Sequence, residues 1–120
     1  MKQPYISRIP AGASCWIVRL EGDHDVSAAT ALQNAIDEML APGTRLVVDL
    51  AAARFIDSSL LGVLVNAHRR AESSARDPVF AVVAPPETAA ASLFDLVGAR
   101  EFIPTFDSCG EAIERLPASA

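Results

Sequence analysis

Two short, almost wholly apolar runs constrain the fold of this 120-residue chain more than any other feature. They read RLVVDL at 45–50 and DPVFAVVA at 77–84. Neither run alternates polar with apolar residues, which is typical of strands covered on both faces in a parallel sheet. Between them lies SSLLGVLVNAHRRAESS, whose apolar residues recur at helical spacing. This order predicts two parallel strands joined by a crossover helix.

The segments before this unit predict two strands and a helix. In SCWIVRLEG (14–22), Trp16, Val18 and Leu20 point to one side, which predicts a strand with one well-buried face. The preceding YISRI predicts an edge strand. DVSAATALQNAIDEMLAPG (25–43) has helical periodicity, Asp25 or Ser27 as a cap, and Pro-Gly as a stop.

The segments after this unit predict two more helices and a short strand. PPETAAASLFDLVG (85–98) predicts a helix that begins at a proline and ends with Gly98 in the C′ position. EFIPTF predicts a short strand, and SCGEAIERL predicts a last helix. The whole order predicts one α/β domain with a mostly parallel sheet of four to five strands, an antiparallel N-terminal strand pair and about four helices.

Composition excludes several function classes. A net charge of -5 and a pI of about 4.8 argue against non-specific binding to nucleic acid or to anionic membranes. Cys15 and Cys109 have neither the spacing of a metal site nor a context that favours a disulfide. No apolar stretch is long enough to span a membrane, and the N-terminus lacks the apolar run of a signal peptide. The expected location is the cytoplasm.

The chain lacks the residues of the enzymes that its size and element order suggest. A phosphoacceptor receiver domain needs a lysine late in the chain, but Lys2 is the only lysine. The GDHD turn at 22–25 is better explained as a strand end leading into a capped helix than as a metal site. His68 lies within a helix on its apolar side and is expected to pack. We therefore predict no catalytic residue, no metal and no cofactor.

The stretch FIDSSLLG places two hydroxyls at the start of the crossover helix. Asp57 is the predicted N-cap, and Ser58 and Ser59 occupy the first two helical positions. At 3.6 residues per turn, the face expected to cover the sheet consists of Leu60, Leu61, Leu64, Ala67, His68 and Ala71. The outward row consists of Ser59, Gly62, Asn66, Arg69 or Arg70, and Ser73.

Gly62 is unusual because glycine disfavours a helix interior by roughly 0.5 to 1 kcal/mol relative to alanine. Either a partner approaches closely at this position, or the glycine reflects close packing inside the domain or mere tolerance. A phosphate on Ser58 would add about -1.5 to -2 charges, which a helix N-terminus tolerates.

The chain as a whole resembles a STAS domain of the anti-sigma factor antagonist type. VVDLAAARFIDSSLLGVLV (47–65) matches the family pattern of a strand ending in Asp-Leu, a short loop, and apolar-Asp-Ser-Ser/Thr-Gly-Leu-Gly. GDHD matches the family's Gly-x-apolar-Asp turn, with Asp25 as its aspartate, and LFDLVG (93–98) matches Leu-Phe-x-x-x-Gly. The expected STAS domain spans 1–117, with 118–120 as a tail.

The resemblance implies that Ser58 is the phosphoacceptor. Taken with the outward row, it predicts a partner-binding surface of Asp23, His24, Asp25, Asp57, Ser59, Leu60, Gly62, Asn66 and Arg69. Leu60 stands where the family has glycine, and it could pack inward or obstruct a kinase loop. His24 stands where the family prefers an apolar residue.

The mechanism that the resemblance implies is partner switching. The dephosphorylated domain binds an anti-sigma factor that is a serine kinase of the GHKL type, and so releases a sigma factor. The kinase phosphorylates the domain, which ends binding, and a PP2C-type phosphatase resets it. The domain itself uses no cofactor, contacts no nucleic acid directly and inserts into no membrane. The alternative is a non-switching STAS subunit of a multiprotein assembly, such as a lipid ABC transporter.

Overall fold

A mixed sheet of five strands forms the centre of the fold. The computed structural model describes residues 5–12, 14–22, 26–41, 43–54, 56–73 and 79–116. The strands are β1 (Tyr5–Pro10), β2 (Cys15–Gly22), β3 (Arg45–Ala53), β4 (Val79–Val83) and β5 (Thr105–Phe106). The helices are α1 (Val26–Met39), α2 (Ser58–Ser73), α3 (Ala89–Val97) and α4 (Cys109–Arg115), with a short 3-10 helix at Ala99–Glu101.

The strands lie in the sheet in their order along the chain, from β1 to β5. β1 is an edge strand and pairs antiparallel with β2, where Ile6 faces Leu20. The other three pairings are parallel, and they place Val48 of β3 beside Val18 and Val82. The predicted α/β fold is therefore confirmed, including the antiparallel N-terminal pair and the number of helices.

Both faces of the sheet are buried. The larger core lies between the sheet and α1, α2 and α3, and it contains Leu32, Leu64 and Phe94. The smaller core lies on the opposite face, where Ile17 and other sheet residues pack against Ala112 and Leu116 from the α4 region. The prediction that β2 has one well-buried face is therefore incomplete, because α4 also covers the second face of this strand.

β3 and α1 differ from their predicted bounds. β3 extends to Ala53, beyond the predicted run 45–50. α1 begins at Val26, so Ser27 lies inside the helix rather than before it, and Asp25 lies outside the described residues.

Two boundaries in the C-terminal half also need correction. α3 begins at Ala89 rather than at a proline, and its N-cap is Thr88, whose hydroxyl accepts a hydrogen bond from the Ala91 amide. Most of EFIPTF is not strand, since β5 contains only Thr105 and Phe106. The predicted end of α3 is confirmed, because Gly98 adopts a left-handed conformation with a φ of 72°. None of the described helices has both the length and the apolarity of a membrane span.

The direction of the parallel strands determines where α2 begins. β2 and β3 run side by side to the same edge of the sheet, where the Arg54 amide donates to the Gly22 carbonyl at 2.9 Å. The chain then reverses, and α2 runs back across the sheet above β3 and β4. The first turn of α2 therefore stands at the carboxyl edge of the sheet.

We expect Leu64→Ala to destabilise the fold by about 2 to 5 kcal/mol, because this α2 side chain is completely buried in the larger core. Leu96→Ala is the matched control, since Leu96 is also a helical leucine but is exposed; its cost should stay within about 0.5 kcal/mol. Urea unfolding measures both. Equal losses of stability would contradict the described core.

Candidate functional site

The first turn of α2 is capped by its own aspartate. Asp57 Oδ1 accepts a hydrogen bond from the Leu60 amide at 3.1 Å, and the Asp57 carbonyl accepts from the Leu61 amide. These contacts satisfy amide groups that a helix N-terminus otherwise leaves unpaired. The predicted N-cap is confirmed, and Ser58 and Ser59 are the first two residues of the helix.

Both serines are exposed, while the next residue is buried. Ser58 and Ser59 face solvent, and Leu60 is 1% exposed and belongs to the larger core. Of the two outcomes left open for Leu60, the structure shows inward packing. Including Leu60 in the partner-binding surface was therefore wrong for its side chain, because the helical rotation from Ser58 to Leu60 turns it towards the sheet.

The flanks of α2 are marked by contacts with the neighbouring elements. On one flank, Arg70 Nη1 donates to Asp37 Oδ1 of α1 at 2.5 Å. On the other, the His68 ring lies 6.5 Å from the ring of Phe102, centroid to centroid. The His68 side chain is only 14% exposed, so its predicted packing is confirmed.

An exposed row of residues runs between these flanks. Gly62, Asn66 and Arg69 are exposed, as the helical spacing predicts, and they continue from the two serines along the outer face of α2. We call Ser58, Ser59, Gly62, Asn66 and Arg69 the α2 row. The predicted surface also includes Asp23, His24 and Asp25, which lie outside the described residues.

Gly62 has open space around it. A Cβ atom built at this position would meet nothing within 4 Å. Close packing inside the domain therefore does not explain the glycine. Two explanations remain: the helix tolerates a glycine at this position, or a partner approaches α2 closely here.

A buried carboxylate lies on the other face of the sheet. Asp49, in the middle of β3, is 5% exposed and accepts hydrogen bonds from three donors. Its Oδ2 accepts from Arg19 Nε at 2.9 Å and from Cys109 Sγ at 3.4 Å, and its Oδ1 accepts from the Ala51 amide at 3.0 Å. This cluster ties β2 and β3 to the first residue of α4.

The electrostatics of this cluster suit a structural role. Hydrogen bonding to Asp49 raises the pKa of Arg19 above its usual value, which keeps the guanidinium charged. Burial, followed by the nearby Asp49 charge, raises the pKa of Cys109 from 9.0 to about 11. The thiol is therefore protonated at neutral pH and is a poor nucleophile. Sequence reasoning missed this cluster, although an aspartate inside an otherwise apolar strand was the available signal.

Metal binding finds no support in the described ranges. Among those residues, no three histidine, cysteine, aspartate or glutamate side chains are grouped so that they could hold an ion. The chemistry available at the carboxyl edge is that of two accessible hydroxyls beside a carboxylate and an exposed helix face.

Known proteins match this chain over most of its length. The family model described as "Mlab, STAS domain" matches residues 7–104. A solved anti-sigma factor antagonist from Mycobacterium paratuberculosis is 26% identical, with 92% of each chain covered and a TM-score of 0.76.

Two structures of one further protein have the same fold. The anti-sigma factor antagonist SpoIIAA in its unphosphorylated form is 20% identical, with 92% of this chain and 95% of that chain covered and a TM-score of 0.68. The phosphorylated form of SpoIIAA, a Bacillus cell fate determinant, is 19% identical, with coverages of 92% and 98% and a TM-score of 0.69. No curated protein shows significant sequence similarity to the chain.

The Cys109 thiol should ionise only near pH 11, because burial and Asp49 both disfavour the thiolate. The unfolded thiol ionises near the ordinary value of 9.0, so native stability should fall as pH rises from there towards about 11. Thiolate absorbance during a pH titration of the Cys15→Ala variant measures the Cys109 pKa. Adding Asp49→Asn to this variant should lower the Cys109 pKa part of the way towards the ordinary value of 9.0, because burial still raises it. Ionisation at the ordinary value in the Cys15→Ala variant would contradict the described environment.

Proposed function

The chain belongs to the STAS domain family, and on that premise we propose that it is an anti-sigma factor antagonist switched by phosphorylation of Ser58. The dephosphorylated form binds an anti-sigma factor that is a GHKL-type serine kinase, and the sigma factor is released. Phosphorylation of Ser58 by this kinase ends binding, and a PP2C-type phosphatase restores the binding form.

The observation that carries this proposal is the position of Ser58. It is exposed at the first position of α2, in a turn capped by Asp57 and anchored by the buried Leu60. A kinase can reach this hydroxyl without unfolding the turn. The similarity to an anti-sigma factor antagonist at 26% identity supports the same function, and SpoIIAA provides a related fold that has been solved in a phosphorylated form.

Charge explains how a phosphate on Ser58 would act as a switch. The phosphate adds about -1.5 to -2 charges beside the Asp57 carboxylate, while the amide groups and dipole of the helix N-terminus stabilise it. The domain therefore keeps its fold, but the start of the α2 row becomes strongly negative. A partner seated on the neutral surface would meet uncompensated negative charge and would dissociate.

We assign the partner-binding surface to Asp57 and the α2 row, extended by Asp23, His24 and Asp25. Gly62 lies centrally in the row and lets a partner backbone approach α2 more closely than any side chain would. Arg69 gives the far end of the row a positive charge, in contrast to the net charge of -5 for the whole chain. A complementary partner surface therefore carries an acidic group opposite Arg69.

A non-switching subunit of a larger assembly is the alternative function. The sequence feature that favours it is Leu60, which replaces the family glycine directly after the two serines. The burial of Leu60 weakens this argument, since the side chain leaves both hydroxyls accessible.

We expect Ser58→Ala to bind the anti-sigma factor kinase whether or not ATP is present, and Ser58→Asp to bind at least about tenfold more weakly than the unphosphorylated chain. Calorimetry with GHKL-type kinases purified from the source organism measures binding. Intact mass after incubation with ATP should show one added phosphate, which Ser58→Ala abolishes.

Ser59→Ala is the matched control, because it removes the neighbouring hydroxyl and should leave phosphorylation intact. If Ser58→Asp binds the kinase as tightly as the unmodified chain, the proposal that phosphorylation of Ser58 ends binding is wrong. Binding without any phosphorylation would support the non-switching alternative.

Gly62→Ala should change the stability of the fold and the affinity for the kinase in opposite directions. In the free protein it should stabilise the fold by about 0.5 to 1 kcal/mol, since the added methyl group meets open space and alanine favours the helix. The same methyl group should weaken kinase binding severalfold. Gly110→Ala in α4 is the control, because this exposed helical glycine lies across the sheet from α2 and its substitution should leave binding unchanged. If Gly62→Ala binds the kinase as tightly as the unmodified chain, the partner does not approach α2 closely at Gly62.

A further inference from the structure

β3 contains a β-bulge directly after Asp49. It pairs with β2 through Asp49–Arg19 and next through Ala52–Glu21, so two residues of β3, 50–51, lie opposite a single residue of β2. Such an insertion is rare between parallel strands, and bulges are common next to functional sites because they redirect the chain. β3 is the strand that leads into α2, so the bulge lies on the path to the two serines.

The bulge changes which residues of β3 face the larger core. Val48 and Leu50 belong to this core, as alternation along a strand requires, and its next member along β3 is Ala53. The step of three residues instead of two contains the extra residue of the bulge. Without that residue, Ala53 would turn to the opposite face of the sheet. The chain would then approach α2 in the wrong phase to bury Ile56 and Leu60, which belong to the same core.

A backbone contact continues the register that the bulge sets. Ala53 pairs with Gly22 of β2, and the Arg54 amide donates to the Gly22 carbonyl at 2.9 Å. Only the residues 55–57 separate this contact from Ser58. A change of register at the end of β3 is therefore passed on to the first turn of α2.

Asp49 provides the hydrogen bond that the bulge requires. The extra residue of a bulge lacks a partner in the ladder. The Ala51 amide instead donates to Asp49 Oδ1 at 3.0 Å, and aspartate side chains commonly accept from the amide two residues further on. The other oxygen, Oδ2, accepts from Arg19 and Cys109. The two oxygens thus have separate contacts: Oδ2 holds the side chain in place, and Oδ1 stabilises the bulge.

We propose that Asp49 positions the phosphoacceptor. Its Oδ1 stabilises the β3 bulge, and the bulge sets the phase in which the chain enters α2, so that Ser58 is exposed while Leu60 is buried. Asp49 is a positioning residue, since it acts through the backbone. The consequence for phosphorylation rests on the proposed function, whereas the consequence for the geometry of the first turn does not.

Asp49→Leu and Asp49→Asn form a matched pair of variants. Both remove the carboxylate charge, and with it the ion pair to Arg19. Leucine and asparagine have a similar branched shape, but only asparagine keeps an oxygen that can accept from the Ala51 amide. A difference between the two variants therefore reports the hydrogen bond of the bulge rather than the loss of the ion pair. Thermal unfolding checks that both variants are folded.

Nuclear magnetic resonance of the chain alone tests the geometry of the turn. Asp49→Leu should accelerate hydrogen exchange of the Ala51 amide at least about tenfold, because this amide loses its acceptor. It should also move the amide resonances of Ser58 and Ser59. Asp49→Asn should keep the Ala51 exchange rate within about threefold of that of the unmodified chain and leave both serine resonances in place.

Phosphorylation by a GHKL-type kinase tests the consequence for the reaction. Intact mass followed over time with ATP gives kcat/KM for each variant. Asp49→Leu should lower kcat/KM at least about tenfold, because a misplaced hydroxyl leaves the reactive geometry. Asp49→Asn should retain kcat/KM to within about threefold. If only the ion pair mattered, the two variants would lose the same amount.

The opposite results would overturn the proposal. If Asp49→Leu leaves Ala51 exchange and the serine resonances unchanged, or if both variants change them equally, Asp49 does not set the first turn of α2 through the bulge. A displaced turn with equal phosphorylation of both variants would exclude its role in the reaction. If even the unmodified chain takes no phosphate, the proposed function is wrong, and the resonances alone decide whether Asp49 positions the turn.

Asp49→Ser replaces Asp49→Leu if the leucine variant does not fold. Serine bonds the amide two residues further on more weakly than asparagine does. The Ala51 amide should therefore exchange faster in Asp49→Ser than in Asp49→Asn. Equal exchange rates in these two variants would contradict the proposal.

Discussion

Covering a parallel sheet on both faces is the constraint on which the rest of this structure depends. β3 lies in the middle of the sheet, and its adjacent residues Val47 and Val48 are completely buried in different cores. One core needs α1, α2 and α3, and the other needs α4. Because α2 must return across the sheet from the carboxyl end of β3, its first turn is necessarily placed at the edge. The exposed serines follow from this geometry.

Buried and exposed residues alternate closely at the start of α2, within the four residues 57–60. Leu60 is fixed in the core and Asp57 caps the amide groups, while Ser58 and Ser59 between them face solvent. A modification of an exposed hydroxyl changes the surface charge without disturbing the anchor. The replacement of the family glycine by Leu60 consequently affects the core of this domain rather than its exposed surface.

The polar groups on the two sides of the sheet differ in exposure: Asp49 is buried, whereas Ser58 and Ser59 are exposed. Asp49 is buried, saturated by Arg19, Cys109 and the Ala51 amide, and faces α4. It joins β2, β3 and α4. In this chain the Asp-Leu motif lies in the middle of β3 and Asp49 has a structural role, and Asp57 is the carboxylate beside the serines.

The sequence by itself determined the order of the elements, the parallel centre of the sheet, the Asp57 cap and the outward row of α2. Each depends on local periodicity or on capping preferences, which are encoded in neighbouring residues. It did not determine the second core over β2 or the full length of β3, because these depend on which elements pack together. The Asp49 cluster and the exposure of Leu96 also depend on the tertiary structure, because the first unites residues far apart in the chain and the second depends on which surfaces remain uncovered. Periodicity identifies the apolar side of one element, and only packing decides whether another element covers it.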